Sequence, residues 1–238
     1  MIIGICGKAG SGKSTASDFL VKDHGFICVP FADPLKRIAK DVFSFTNEQL
    51  WGPSEERNKP DMRYQREHYG KVVTCECCGL DCEVDADKPC YLTPRHALQQ
   101  LGSEWGRACY PNVWVEYALR VANSLLYGSG IARSVHYSYN AQEGLFATNV
   151  PAGPPPKGVV IPDVRFRNEV DAITAAGGEV WRIRRRQEGL ASSAGQHQSE
   201  TEQNGIPWEL FSTTLFNTGT IENLQSTVST ALGAARQK

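Results

Sequence analysis

The chain has 238 residues, 41% hydrophobic, 21% charged and 9% aromatic. That composition excludes a disordered tail, a collagen-like repeat and a coiled coil, and it suffices for one substantial core with insertions. With 25 basic residues against 26 acidic ones the formal charge is −1, so no global field draws the chain onto nucleic acid or a membrane surface, and any anion site must be built locally.

Residues 1–6 form a continuous apolar, β-branched run ended by Gly7, which predicts a buried strand. A helix follows over 13–24, with Ala16, Phe19 and Leu20 on its apolar side, Ser17, Asp18 and Lys22 on its polar side, and Gly25 as its stop. Phe26–Val29 is a second strand, and Asp33 and Pro34 are expected as N-cap and first residue of a second helix. Residues 44–91 are polar, broken at Gly52-Pro53 and Lys59-Pro60, and are expected to be an insertion between 1–43 and 92–238. Two helices are expected at Pro94–Ala108 and Asn112–Tyr127, then a long, weakly patterned loop at 128–158. Val159–Ile161 is a third strand, Arg167–Ala176 a helix, Val180–Ile183 a fourth strand, and 184–206 a polar lid. Thr213–Phe216 is the fifth strand and Ile221–Ala235 the closing helix. The pattern is α/β: a five-stranded parallel sheet with helices on both faces. No apolar run reaches membrane-span length, and Met1–Gly7 carries no basic leader, so a cytoplasmic chain is expected.

Between the first strand and helix lies Gly7-Lys8-Ala9-Gly10-Ser11-Gly12-Lys13-Ser14, which fits the G-x-x-x-x-G-K-[ST] phosphate loop. Glycines let the backbone curl so that several N–H groups face one anion, and the helix start adds its positive end. Ala9, Gly10, Ser11, Gly12, Lys13, Ser14 and Thr15 are therefore the expected nucleoside triphosphate contacts. Lys13 would serve the β- and γ-phosphates and the Ser14 hydroxyl would ligate Mg²⁺.

The loop does not say what receives the phosphoryl group. Arg95, Arg107, Arg165 and Arg182–Arg186 stand at element ends, and ligands in open α/β sheets bind beyond the carboxyl ends of the strands. Guanidinium groups gathered at that edge make an anion pocket. Asp163 suits either a Mg²⁺ ligand acting through water or a helix N-cap. A phosphate acceptor is already ionised and needs cations rather than a base. A hydroxyl acceptor, as in dephospho-coenzyme A kinases or nucleoside kinases, would use Asp33 as base. A nucleic-acid-binding ATPase is a third reading, opposed by the absence of a basic stripe.

Three stretches carry a resemblance: Leu92-Thr93-Pro94-Arg95-His96-Ala97-Leu98-Gln99-Gln100-Leu101-Gly102-Ser103-Glu104 with the downstream Trp114, Pro162-Asp163-Val164-Arg165-Phe166-Arg167-Asn168-Glu169, and Phe31-Ala32-Asp33-Pro34-Leu35-Lys36. Together with the phosphate loop they resemble the phage-type deoxynucleoside monophosphate kinases. The resemblance implies a P-loop kinase fold, ATP with Mg²⁺, and transfer of the γ-phosphoryl group to a dNMP, giving dNDP and ADP. It implies an acceptor site lined by Arg95, Gly102, Ser103, Trp114, Asp163 and Arg165. Gln99 or Gln100 could read a base edge, because an amide both donates and accepts; only one faces inward, and Gln99 is preferred. Asp33, Lys36 and Arg37 are candidates near the acceptor phosphate. The resemblance places Arg184 and Arg185 against ATP, with Lys13, Arg165 and Arg184 as the cations of the reaction, and it points to a homodimer with small nucleotides as its ligands.

The insertion is where the chain departs from that family. Of eight cysteines, five fall between Cys75 and Cys90. Cys75-Glu76-Cys77-Cys78-Gly79 contains a C-x-x-C turn, and Cys75, Cys78, Cys82 and Cys90 are the expected ligands of a structural Zn²⁺. Cys77, His68 or His96 could replace one of them.

Overall fold

Strand β1 (Ile2–Cys6) is buried along its whole length because both its faces are covered. Its side chains divide by the two-residue period, Ile3 and Ile5 entering one core, Ile2 and Cys6 the other. The computed structural model describes residues 1–66, 90–128, 136–140, 144–148, 155–185, 202–203 and 205–237. After β1 come α1 (Lys13–His24), β2 (Phe26–Cys28), α2 (Ala32–Phe43), the short helices α3 (Asn47–Trp51) and α4 (Ser54–Asn58), β3 (Gln65–Arg66) and β4 (Cys90–Tyr91). Helix α5 (Pro94–Gln99) runs directly into a π-helix, Gln100–Arg107. Then follow α6 (Val113–Tyr127), β5 (His136–Asn140), β6 (Gly144–Thr148), β7 (Gly158–Val164), α7 (Arg167–Ala175), β8 (Glu179–Arg185), β9 (Thr213–Asn217) and α8 (Ile221–Ala235).

Five strands pair in the order β2–β7–β1–β8–β9, and every pairing is parallel. Parallel neighbours require crossovers, and the crossover helices cover both faces. On one face, α1 and α8 lay Ala16, Leu20, Leu224, Val228 and Leu232 on Ile3, Ile5, Trp181 and Ile183. On the other, α6 and α7 lay Val121, Ala122, Val170 and Ile173 on Ile2, Val159, Ile161 and Val180. The expected α/β sheet flanked by helices is present. Because all five strands point the same way, the residues after β1, β2, β7, β8 and β9 share one sheet edge.

Local differences from the sequence expectations have physical causes. Helix α2 begins at Ala32 with Phe31 at its N-cap, so Asp33 lies inside the first turn and is not the cap. The Asp163 carboxylate takes that role from across the sheet, accepting from Phe31 N at 2.9 Å and Ala32 N at 3.0 Å. Ser17, expected on the polar side of α1, is buried, its hydroxyl donating to Ser14 O at 2.9 Å. The helix expected over 94–108 changes from α to π at Gln100. The segment expected as a long, weakly patterned loop contains an antiparallel hairpin, β5 with β6, in register His136↔Thr148 to Asn140↔Gly144; Gly144–Thr148 carries no two-residue alternation of apolar and polar residues to mark it.

Residues 44–66, expected within the insertion, pack into a third apolar cluster. Phe45 and Leu50 are buried there with Ala39 and Ala97, against Phe43, Trp51, Tyr64 and Leu92. Strands β3 and β4 pair antiparallel, Gln65↔Tyr91 and Arg66↔Cys90. Among the described residues, no helix is long and apolar enough to cross a membrane.

Candidate active site

The phosphate loop curls between β1 and α1 in a backbone path that two glycines make possible. Gly12 has a φ of 107°, and a Cβ there would lie 2.6 Å from Asn217 Nδ2 and 2.9 Å from Leu224 Cδ2. A Cβ on Gly7 would lie 2.6 Å from Ile183 O and 2.7 Å from Ser11 Oγ. The Lys13 ammonium folds back, donating to Gly7 O at 2.5 Å and Lys8 O at 2.8 Å. Asn217 ties the loop to the end of β9, its Nδ2 donating to Ser11 O at 2.9 Å. Ser11 Oγ is buried without a hydrogen-bond partner.

A cavity of about 430 Å³ opens beside this loop, walled by Gly12, Lys13, Ser14, Thr15, Arg185 and Asn217, and further by Thr220 and Ile221. Arg185 also reaches Gly10 O at 3.4 Å. Ala9 and Ser14 are exposed and Thr15 is half-buried. Arg184 and Arg185 are strand residues at the end of β8 and point to opposite faces by the strand period, so Arg184 does not line this cavity. Asn217 and Thr220 lie just past Phe216, where the apolar pattern of the fifth strand stops. The available signal was Asn217-Thr218-Gly219-Thr220, a polar turn at the carboxyl end of the fifth strand.

A second group of charges lies along the same edge, around the start of α2. Asp33 is buried, and burial pushes its carboxyl up to about 6; the Lys36 ammonium opposes this, Asp163 reinforces it, and a hydrogen bond from the Trp51 side chain lowers it. Burial lowers the Lys36 ammonium in turn, and Asp33 counteracts. The Lys36 Nζ sits 5.4 Å over the Trp51 ring. On α5, Arg95 donates through Nε to Asn58 Oδ1 on α4. The neighbouring Arg57 is depressed by burial and by the charges of Arg95 and Arg165. Lys36, Arg57, Arg95 and Arg165 are thus one electrostatic group. Arg37, expected near an acceptor phosphate, donates to the Tyr117 hydroxyl on α6 at 2.7 Å.

The wall from α5 to α6 is held by two side chains. Trp114, on α6, is buried in the core and its indole N–H donates to Gly102 O at 2.9 Å within the π-helix. Gly106 lies against that ring, where a Cβ would come 2.2 Å from Trp114 Cζ2. Arg107 ends the π-helix stacked 3.6 Å from the Phe166 ring centroid and paired with Glu169 at 3.4 Å. Glu169 accepts from Arg165 N at 2.8 Å and Phe166 N at 3.0 Å, and burial pushes its carboxyl up to about 7. Gln99, Gly102 and Ser103 are half-buried, while Gln100 is exposed.

The expected zinc ligands Cys75, Cys78 and Cys82 lie outside the described residues; Cys90 is half-buried on β4. Among the described residues no three His, Cys, Asp or Glu side chains converge as a metal site.

No protein-family profile matches the chain. A protein of Acanthamoeba polyphaga mimivirus named "Putative deoxynucleotide monophosphate kinase" is 30% identical over 239 residues, covering 100% of this chain and 98% of its own. Among solved structures, the crystal structure of TT1252 from Thermus thermophilus matches with a TM-score of 0.40 and 17% identity, over 98% of this chain and 97% of that one. With a relative of that identity along the whole length, the chain is a nucleotide kinase and belongs to the deoxynucleotide monophosphate kinase family.

Proposed function

We propose that this kinase transfers the γ-phosphoryl group of ATP to the 5′-phosphate of a deoxynucleoside monophosphate, giving ADP and a dNDP. One observation carries the reading: Lys13 after β1, Lys36 on the helix after β2 and Arg165 after β7 share one sheet edge, and Arg95 on α5 acts with Arg165 on the same Arg57. Bringing two polyanions together in line is the main barrier to such a transfer, and positioned cations lower it. Ala9, Gly10, Ser11, Gly12, Lys13, Ser14, Thr15 and Arg185 hold ATP, and Lys13 and Arg165 offset charge on the transferred group. Lys36 and Arg95 face the acceptor phosphate, while Gln99, Gly102 and Ser103, backed by Trp114, face its nucleoside.

The donor set fits a magnesium nucleotide. Ser14 is exposed in the cavity wall, and each Asp163 oxygen keeps a lone pair beyond its backbone bond. Ser14 and, through water, Asp163 would hold Mg²⁺, which supplies charge neutralisation between the β- and γ-phosphates when bound. The Lys13 ammonium then exchanges its bonds to Gly7 O and Lys8 O for phosphate oxygens. The C-x-x-C-G spacing supports Zn²⁺ on Cys75, Cys78, Cys82 and Cys90; metal analysis should find about one equivalent, and less than half, with folding kept under chelator, removes it.

The test is a coupled ADP-release assay across the four dNMPs and the ribonucleotides. Release with at least one dNMP is expected, and none with any removes the reading. The raised Asp33 carboxyl, at about 6, favours one second reading, a hydroxyl acceptor with Asp33 as base. Asp33→Asn nearly abolishes turnover in that case, but mainly raises KM if the acceptor is a phosphate.

A further inference from the structure

We propose that Arg57, on the short helix α4, is the central cation of the acceptor-phosphate site, gripping a dianionic phosphomonoester together with Lys36, Arg95 and Arg165. This rests on the function proposed above and adds to it a residue from outside the motifs that suggested it.

The placement follows from packing. Helix α4 lies against α3 and α5, and the Arg95–Asn58 hydrogen bond locks the α5 arginine beside it. On the other side, the α3 residue Trp51 touches both Lys36 and Asp33. Arg57 therefore lies between α5, which carries Arg95, and α3, whose Trp51 ring meets Lys36. Its own hydrogen bonds go to Gly52 O and Ser54 Oγ, both at 3.1 Å. Those acceptors are neutral, so they orient the guanidinium without cancelling its charge.

Within the group, like charges act on one another. The protonated form of Arg57 is disfavoured by burial and by Arg95 and Arg165, and that of Lys36 by burial and by Arg57. Like charges held together in a half-buried place cost stability unless an anion joins them. Asp33 and Asp163 act on Lys36 and Asp163 also acts on Arg165, while the charges acting on Arg57 among the described residues are those of Arg95 and Arg165. A phosphate dianion presents three oxygens to several guanidinium donors at once and relieves that repulsion. A nucleoside lacking the phosphate gains nothing from Arg57, so the residue selects monophosphates over nucleosides.

Steady-state kinetics of the full chain test this. Arg57→Ala should raise KM for the best dNMP at least tenfold while KM for ATP stays within twofold, and Arg57→Lys should raise it less. The matching deoxynucleoside should inhibit wild type and Arg57→Ala equally. A merely structural role would shift both KM values and the thermal midpoint together; that result, or a dNMP KM within twofold of wild type, overturns the inference. If Arg57→Ala does not fold, Arg57→Lys carries the test, and an unchanged dNMP KM in it is equally fatal. A wild type active on a dNMP with an indifferent Arg57→Ala overturns this inference alone, whereas a wild type that turns over no dNMP overturns the proposed function as well.

Discussion

Asp163, at the carboxyl end of β7, accepts a hydrogen bond from Phe31 N at 2.9 Å, across 132 residues of sequence. Its second oxygen takes the next amide, Ala32 N, at 3.0 Å. A carboxylate on two amides at a helix start satisfies donors that the helix cannot satisfy itself and complements the positive end of its dipole. The same contact sets where α2 begins, and with it Asp33 and Lys36.

Replacing Asp163 by Asn keeps one acceptor and removes the charge. Asp163→Asn should cost about 2 kcal/mol in denaturant unfolding, as expected for a buried donor left poorly paired. Activity should fall further than stability, because α2 carries Lys36. An unfolding midpoint equal to wild type would show that the amides find other partners.

Glu169 gives a pH signature. Its folded carboxyl titrates at about 7 against an ordinary 4.5, so between those values the native state binds more protons than the unfolded one. Stability from this group is full below about 4.5 and is lost as pH rises to about 7, with an upper bound of about 3 kcal/mol. Unfolding free energies of wild type and Glu169→Gln, measured from pH 5 to pH 8, should lie closest at the acid end, where the carboxyl is neutral like the amide, and separate as pH rises. The stability of wild type relative to the variant should therefore decline with rising pH. A difference independent of pH would mean that Glu169 titrates normally.

Gly12 tolerates no side chain, for backbone and for space. Gly12→Ala must hold a φ of 107° and push on Asn217 and Leu224. A cost of about 1–3 kcal/mol is expected from the strained backbone, and affinity for ATP, read by calorimetry, should fall at least tenfold. Gly10→Ala, at a φ of 76° but with nothing within 4 Å, should be milder. Equal effects would remove the crowding argument.

Trp114 separates support from recognition. Trp114→Phe keeps an aromatic body but deletes the donor to Gly102 O, leaving that carbonyl short of a partner at a cost of about 1 kcal/mol. The expected outcome is a lower thermal midpoint with a modest rise in dNMP KM. An unchanged midpoint with a large KM rise would place the indole on the substrate itself.

The elements that sequence reading located best are those whose cause is local. The phosphate loop, α1, and the helix and strand from Arg167 to Ile183 are set by glycine positions and short-range hydrophobic periods, which survive without tertiary information. Whole-chain similarity then supplied the family. What a linear reading could not supply is contact between residues distant in the chain. The start of α2 depends on Asp163, the path of the π-helix on Trp114 and Gly106, and the membership of the cation group on α4 packing beside α5. Arg57 stands in a polar stretch with no period to mark it, and Asn217 gains its meaning from Ser11, more than two hundred residues away. Charge and hydrogen bonding act through space, so a residue's partner is decided by the sheet order that brings loop ends together, and that order is a property of the folded chain.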